Sequence, residues 1–201
     1  MPEGSKSLRW EDEETVSSVT FQEETLVGLE LWGLEFTDVT FTRCRFVDCR
    51  LGGSFFNRVK LTGCDFSNCA FVDSSWRDCE LTDCKGVGAE FRGSRWRGCK
   101  LSGCLLRMAN FSQSLWENCG WKDCDLGQSI WIECKLSKLA VGACDLRGVN
   151  FFRTLLKGLD FSRCELEGIT VSEALTELRG LTVGAHQTVG LAKLMGLKVE
   201  N

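Results

Sequence analysis

Large apolar residues recur at every fifth position from Phe21 to Val171. Of the 31 positions at this spacing, 30 are Phe, Leu, Trp or Val, and Gly86 is the exception. Since 43% of the chain is hydrophobic, about 13 apolar residues would be expected there by chance. A spacing of five matches neither the two-residue period of a strand nor the 3.6-residue period of a helix. The pattern therefore predicts a repeat protein built from five-residue units.

A second set of positions, two residues before each large one, carries mainly small residues. We call the two sets the large positions and the small positions. All thirteen cysteines occupy small positions, together with serines and alanines such as Ser74 and Ala89. Every serine at a small position precedes an aromatic ring, as Ser74 precedes Trp76, and we interpret this as compensation of size in a closely packed interior. Most charged residues and glycines fall at the other three positions, so two side chains in five are expected to point inward.

Segments such as CRFVD, CDFSN and CDLRG resemble the pentapeptide-repeat family, whose motif is a small residue, Asp or Asn, Leu or Phe, and two free positions. The resemblance implies an all-β fold, a right-handed quadrilateral β-helix with four pentapeptides in each coil. A coil of twenty residues is also indicated by the cysteines, which recur without a break at intervals of twenty from Cys44 to Cys164. At about 4.8 Å per coil, the repeats would form a rod about 37 Å tall.

The change in pattern along the chain predicts three segments. Residues 1–18 are expected to form an N-terminal tail or cap, and their acidic run at 11–14 would help to cover the first coil. Residues 19–173 are predicted to form the β-helix. Residues 174–201, where the five-residue period fails, are predicted to form a C-terminal cap and dimerisation element.

Helical spacing within the last segment predicts a short C-terminal helix, with Gly196 in the left-handed C-cap position, followed by a terminal strand. Its apolar stripe is wider than one coil end needs. The stripe has two interpretations: it caps only its own coil, or it also joins two rods tail to tail. In the second case the same apolar patch of both copies would meet across a two-fold axis. For the second case the predicted dimer interface consists of Val189, Leu191, Leu194 and Met195.

Charges differ between the four faces expected for such a coil. The face whose large positions recur every twenty residues from Leu26 to Leu166, the acidic wall, carries seven acidic and four basic residues. Asp125, Asp145 and Glu165 are each twenty apart and would stack on successive coils. Together with Glu167 they form the predicted partner-binding site. The alternative is a solvated charged surface, since salt and water screen such rows.

The face centred every twenty residues from Phe36 to Leu156, the basic wall, has seven basic and four acidic residues. Its tryptophans, among them Trp96, occupy large positions and would point inward, where they cannot stack on bases. We therefore expect no direct contact with nucleic acid. Between residues 21 and 171 the chain is nearly neutral, with 19 Lys or Arg and 20 Asp or Glu.

No catalytic, metal or cofactor site is expected. The cysteines follow the period of the coil, contain no CxxC pair, and are interpreted as core filler with raised pKa values, in preference to metal ligands or disulfides. The sole histidine, His186, has no nucleophile paired with it in any familiar motif. Without an apolar run long enough for a membrane span or an export signal, the thiols predict a reducing cytoplasm.

The segment from Glu177 to Asn201 resembles the C-terminal end of the gyrase-protecting pentapeptide-repeat proteins of the Qnr and MfpA type. The similarity lies in these residues: Arg179, Gly180, Gln187, Leu191, Met195, Gly196, Leu197 and Val199. It implies a homodimeric rod that imitates DNA, binds DNA gyrase or topoisomerase IV, and protects the enzyme from quinolones or peptide toxins. The alternative is a non-catalytic repeat scaffold for another protein partner. An assay of supercoiling by gyrase distinguishes the two.

Overall fold

The computed structural model describes residues 10–200 as eighteen short strands followed by one α-helix. The first eight strands are β1 (Thr15–Ser17), β2 (Thr20–Gln22), β3 (Thr25–Val27), β4 (Glu30–Trp32), β5 (Glu35–Thr37), β6 (Thr40–Thr42), β7 (Arg45–Val47) and β8 (Arg50–Gly52). The remaining strands are β9 (Phe55–Asn57), β10 (Lys60–Thr62), β11 (Ser75–Arg77), β12 (Glu80–Thr82), β13 (Arg95–Arg97), β14 (Lys100–Ser102), β15 (Leu115–Glu117), β16 (Gly120–Lys122), β17 (Lys135–Ser137) and β18 (Ala140–Val141). Two 3₁₀ turns, Thr176–Leu178 and Ala185–Gln187, precede the helix α1 (Thr188–Leu194).

Every strand pairs in parallel with the residues twenty positions away, which confirms the coil length. One seven-stranded sheet has the order β1-β5-β9-β11-β13-β15-β17, and it forms the basic wall. A second has the order β18-β16-β14-β12-β10-β6-β2, and two-stranded sheets β3-β7 and β4-β8 begin the other two walls. The chain therefore folds as the predicted all-β, right-handed quadrilateral β-helix with a short C-terminal helix. Because β1 already pairs with β5, the regular coil begins at residue 15, ahead of the predicted boundary at 19.

Beyond the first coils, two walls continue as single parallel bridges, again at intervals of twenty. There the backbone closes four-residue turns, such as the one in which the Cys69 amide donates to the Phe66 carbonyl. Between residues 23 and 168, all residues with positive φ lie two positions after a large one, at the corners of the coil. Gly, Asn and Asp are common at these corners because they adopt the left-handed conformation at the lowest cost. At Gly98, with φ of 67°, a Cβ would also overlap the carboxylate of Asp78 in the preceding coil.

Side chains at the large positions fill the interior, as predicted. On the basic wall Phe36, Phe56, Trp76, Trp96 and Trp116 stack in one column, with centroid separations of 5.1, 3.8, 4.6 and 4.6 Å. A second aromatic column lies on a neighbouring wall and meets the first edge to face, the geometry that aromatic quadrupoles favour. Between residues 21 and 171, three aromatic residues fall outside the large positions, and all three are exposed: Trp32, Phe55 and Phe152.

The serines at small positions do more than make room for rings. The indole N–H of Trp76 donates to Ser74 Oγ at 2.8 Å, and Trp96, Trp116 and Trp131 each make the same bond to the serine two residues earlier. Since a buried donor without a partner is costly, these serines supply hydrogen bonds as well as space. The size interpretation is therefore incomplete wherever the ring is an indole.

At Gly86 the missing side chain makes room for two neighbours. A Cβ there would overlap Phe66 Cε2 and would lie 2.9 Å from Leu106 Cδ2. Gly86 has no positive φ, so packing and not backbone conformation requires glycine. The Phe66 ring and the Leu106 side chain, in the coils on either side, fill the gap in the row of large side chains.

Both ends of the described coil are covered. Trp10 meets Phe21 and Phe36 edge to face, and Asp12 Oδ1 accepts the Trp32 amide at 2.8 Å. Residues 1–9, which belong to the predicted tail, and residue 201 lie outside the described residues.

At the other end, buried polar side chains form hydrogen bonds with backbone groups of the last coil. Glu177 accepts the backbone amide of Arg153 at 2.8 Å and the hydroxyl of Ser172 at 2.7 Å. The amide of Gln187 donates to the carbonyls of Phe161 and Cys164. A bridge of Asp160 to Thr182, offset by 22 residues, marks the irregular last turn.

The helix ends as predicted, but the segment after it does not form the predicted strand. Gly196 has φ of 77°, its amide donates to Lys193, and the amide of Leu197 donates to Ala192. This pair of bonds is the Schellman motif. Residues 197–200 form no strand, because none of their backbone groups pairs with the coil.

Candidate functional site

The structure places three of the four predicted carboxylates of the acidic wall in one column. Asp125 bridges to Asp145, and Asp145 bridges to Glu165, so the three lie on successive coils about 4.8 Å apart. Each precedes a large position, which turns its side chain outward. Glu167 lies two residues beyond Glu165 on the same wall.

Two of these carboxylates also shape the backbone. Asp125 Oδ1 accepts the amide of Gly127, and Asp145 Oδ1 accepts the amide of Arg147, both at 3.0 Å. This bond from a side chain to the amide two residues on is an Asx turn. Asn150 makes the same bond elsewhere in the coil. An Asp or Asn residue immediately before a large position thus stabilises the local turn, and it does so whether or not its side chain is charged.

Arginines partly neutralise the same two residues. Arg147 Nε donates to Asp145 Oδ1 at 2.9 Å, and Arg107 lies 3.4 Å from Asp125. Hydrogen bonding and charge from Arg147 hold the pKa of the Asp145 carboxyl below its ordinary value. The Asp145 carboxyl is therefore ionised near neutral pH, and both carboxylates are paired with an arginine of the same chain.

Glu165 and Glu167 differ from them. Both are exposed, and within residues 10–200 neither has a side-chain hydrogen bond or an ion pair. Of the four predicted residues, these two carry the charges that a partner can bind without first displacing an arginine of the same chain.

The predicted dimer residues divide into two pairs. Val189 and Met195 are exposed, at 46% and 65% of their surface. Leu191 and Leu194 are partly buried and pack against the core of their own coil. The segment after the helix adds two exposed residues that the helical pattern did not include in the interface, Leu197 at 56% and Val199 at 40%.

The described residues contain no cluster of three or more His, Cys, Asp or Glu side chains placed to hold a metal ion. All thirteen cysteines are buried as free thiols, and many donate to backbone carbonyls, as Cys64 donates to Phe41. Burial raises the pKa of Cys44, Cys134 and Cys164. His186 is exposed in a 3₁₀ turn. Within residues 10–200 no helix is both long and apolar enough to cross a membrane.

A family model described as a pentapeptide repeat region matches residues 34–111. This match and the coil of four five-residue units support membership of the pentapeptide-repeat family. No curated protein matches its sequence significantly.

Several solved structures of pentapeptide-repeat proteins are similar to this one. Full-length QnrB1, a plasmid-mediated fluoroquinolone resistance protein, is 20% identical, with 92% of this chain and 100% of QnrB1 covered and a TM-score of 0.38. HetL, a pentapeptide repeat protein involved in heterocyst differentiation regulation from the cyanobacterium Nostoc sp., is 14% identical, with 86% of each chain covered and a TM-score of 0.40. A pentapeptide repeat protein from the Arabidopsis thaliana thylakoid lumen is 18% identical, with 69% of this chain and 88% of that chain covered and a TM-score of 0.36. At no more than 20% identity and with TM-scores below 0.5, these similarities carry no inference about function.

Proposed function

We propose that this protein is a non-catalytic, cytoplasmic imitation of DNA that binds a type II topoisomerase, DNA gyrase or topoisomerase IV. By occupying the DNA-binding groove it would protect the enzyme from quinolones or peptide toxins. The observation that carries the proposal is the column of carboxylates in the acidic wall, Asp125, Asp145 and Glu165, on successive coils of a rigid rod.

The physical reason is electrostatic. A groove that binds duplex DNA is lined with Lys and Arg, matched to phosphates that recur at fixed intervals along the duplex. Carboxylates repeated every ~4.8 Å on a rod can meet the same side chains. Because parallel pairing holds the coil along its whole length, these charges are already in place before binding. The loss of conformational entropy on binding is therefore smaller.

Within the acidic wall we assign the larger part of the contact to Glu165 and Glu167. Arg107 and Arg147 lie against Asp125 and Asp145, so a partner has to compete with ion pairs that already exist. Exposed pairs of this kind contribute about 0–1 kcal/mol each, so a strongly basic groove can displace them. Glu165 and Glu167 have no such competitor within residues 10–200.

We further propose that the protein is a homodimer joined through its C-terminal helix. Four exposed apolar side chains, Val189, Met195, Leu197 and Val199, lie together in sequence on or just after that helix. Gln187 binds the carbonyl of Cys164, so the helix starts beside the coil that carries Glu165. A tail-to-tail dimer would bring two acidic columns toward its axis and would lengthen the rod to about 75 Å.

The function is tested by supercoiling with purified gyrase, with and without a fluoroquinolone or a gyrase-directed peptide toxin. The expected result is that the wild-type protein restores activity or inhibits the enzyme. The Glu165→Lys/Glu167→Lys variant should lose this effect while its circular dichroism stays unchanged. A matched control, Glu35→Lys/Glu90→Lys, makes the same charge change at exposed positions on other walls.

Each outcome decides one statement. Loss of the effect in both variants would refute the placement of the contact on the acidic wall. Absence of any effect of the wild-type protein on gyrase or on topoisomerase IV would refute the function and favour a scaffold for another protein.

The dimer is tested separately by light scattering of Val189→Glu/Met195→Glu, which avoids the partly buried leucines. A wild-type protein that is already monomeric would refute the proposed dimer.

A further inference from the structure

The outer face of the basic wall is concave. Its side chains enclose a groove of about 730 Å³ that runs across the strands from β5 to β17. One row along the groove consists of the outward residues that precede the large positions. The strand registers place Phe55, Ser75, Arg95 and Leu115 directly next to one another in this row.

Apolar side chains stand at two points of this row, with arginine between them. Phe55 is 52% exposed and Leu115 is 38% exposed, and neither packs into the core. They are three strands apart, a separation of about 14 Å at the usual spacing between strands. Ser75 is small, which leaves the floor of the groove open between Phe55 and Arg95.

The centre of the groove carries excess positive charge. Arg77 lies directly opposite Arg97 on the neighbouring strand, and Arg95 shares a strand with Arg97. Like charges directly opposite each other destabilise a sheet. Glu117 compensates for part of this, since it lies 3.5 Å from Arg97. Within residues 10–200, Arg77 and Arg95 have no acidic partner within ion-pair distance.

The charged residues at the two ends of the groove nearly cancel. Glu35 lines one end and Lys135 the other. The uncompensated charge therefore lies on Arg77 and Arg95, on the two strands between those that carry the apolar side chains. This arrangement favours an anionic ligand with an apolar group on each side.

From this arrangement we propose that the groove on the basic wall binds an extended acidic peptide of a partner protein, with two apolar side chains on either side of its carboxylates. An extended chain advances about 3.3 Å per residue, so side chains four residues apart span about 13 Å and point to the same side. Apolar residues at positions one and five would then contact Phe55 and Leu115. An acidic residue at position three would face the arginines and accept charge-assisted hydrogen bonds from them.

A nucleic acid satisfies these features less well. Single strands bind through bases stacked on exposed aromatic side chains along a groove. The tryptophans under this groove, Trp76, Trp96 and Trp116, are at most 2% exposed. Phe55 is the only aromatic side chain among the lining residues that is exposed. The groove thus offers three arginines but a single stacking surface.

The test is fluorescence anisotropy with the full-length protein and a fluorescein-labelled peptide of the sequence Gly-Ser-Leu-Glu-Glu-Glu-Leu-Gly-Ser. Two control peptides replace the three glutamates by lysine or the two leucines by serine. A labelled hexamer of thymidine tests the nucleic acid. The variants are Arg95→Glu and the matched control Lys85→Glu, which makes the same charge change at an exposed position on the acidic wall.

The acidic peptide should bind more tightly than both control peptides and more tightly than the oligonucleotide. Arg95→Glu should weaken it by about tenfold or more, which is the loss expected for charged hydrogen bonds, and Lys85→Glu should leave it nearly unchanged. Three results would overturn the proposal: no binding of the peptide to the wild-type protein, equal weakening by both variants, or tighter binding of the oligonucleotide. Unchanged circular dichroism of both variants shows that the coil is intact. The gyrase proposal concerns another wall, so the two can fail independently.

Discussion

Replacing Cys119 by serine is expected to stabilise the protein. Trp121 is the one tryptophan at a large position whose preceding small position holds a cysteine instead of a serine. Its indole nitrogen is buried and has no hydrogen-bond partner. Four other tryptophans at large positions donate to a serine hydroxyl at 2.8–2.9 Å. A serine at position 119 would offer Trp121 the same acceptor.

The size of the effect follows from three contributions. A buried donor without a partner costs about 1–3 kcal/mol, which the new hydroxyl would recover. Burying a hydroxyl instead of a thiol costs about 1 kcal/mol. The hydroxyl proton itself keeps an acceptor, since the Cys119 thiol already lies 3.3 Å from the Glu117 carbonyl. The net gain is about 1 kcal/mol, which for a protein of this size raises the Tm by about 2–4 °C.

Thermal and urea unfolding of two further variants complete the experiment. Cys99→Ser makes the same chemical change one coil earlier, where the large residue is Leu101 and no indole needs an acceptor. Its stability should fall by about 1 kcal/mol. Ser94→Cys removes the acceptor of Trp96 and should also destabilise the protein. If Cys119→Ser lowers the Tm as much as Cys99→Ser does, the unpaired indole is not a source of instability and the reasoning is wrong.

Three other predictions concern the interior and the cap. Gly86→Ala should destabilise the fold by about 1–3 kcal/mol, measured by urea unfolding, because its Cβ overlaps Phe66; a neutral result would mean that the column repacks at no cost. Burial raises the pKa of Glu177, but hydrogen bonds from Ser172 and from backbone amides outweigh it and hold the pKa below its ordinary value. The stabilisation that ionised Glu177 provides is therefore present above the unfolded pKa of about 4.3 and is lost as the pH falls through the folded pKa. Glu177→Gln should be less stable than wild type at pH 7, and its free energy of unfolding should fall less than that of wild type below pH ~4.5. Equal acid sensitivity of the two proteins would contradict this. A thiol reagent should label few of the thirteen cysteines before urea is added and all of them afterwards, whereas rapid labelling of most native thiols would show that the core is open.

The surface shows where reasoning from the pattern was sufficient and where it was not. The position of Asp125, Asp145 and Glu165 in one column follows from their spacing of twenty and is confirmed by the bridges between them. Their pairing with Arg107 and Arg147 does not follow from that spacing, because it depends on rotamers and on neighbours in adjacent coils. The spacing of twenty therefore predicted where the charges lie, but not which of them are already held in ion pairs.

The groove on the basic wall could not be predicted from the period. Phe55 departs from the pattern as an aromatic residue outside the large positions, and that departure was the available signal. Only the strand register places Phe55 and Leu115 in one row with Arg95 between them.

The sequence by itself determined the five-residue unit, the coil of twenty and the identity of the core residues. It could do so because each unit repeats the same choice between inward and outward side chains, and that choice is local. The tertiary structure decided which indoles find an acceptor, which carboxylates are paired and which arginines are left uncompensated. These features depend on distances between side chains of different coils, and a period that is the same in every coil does not contain them.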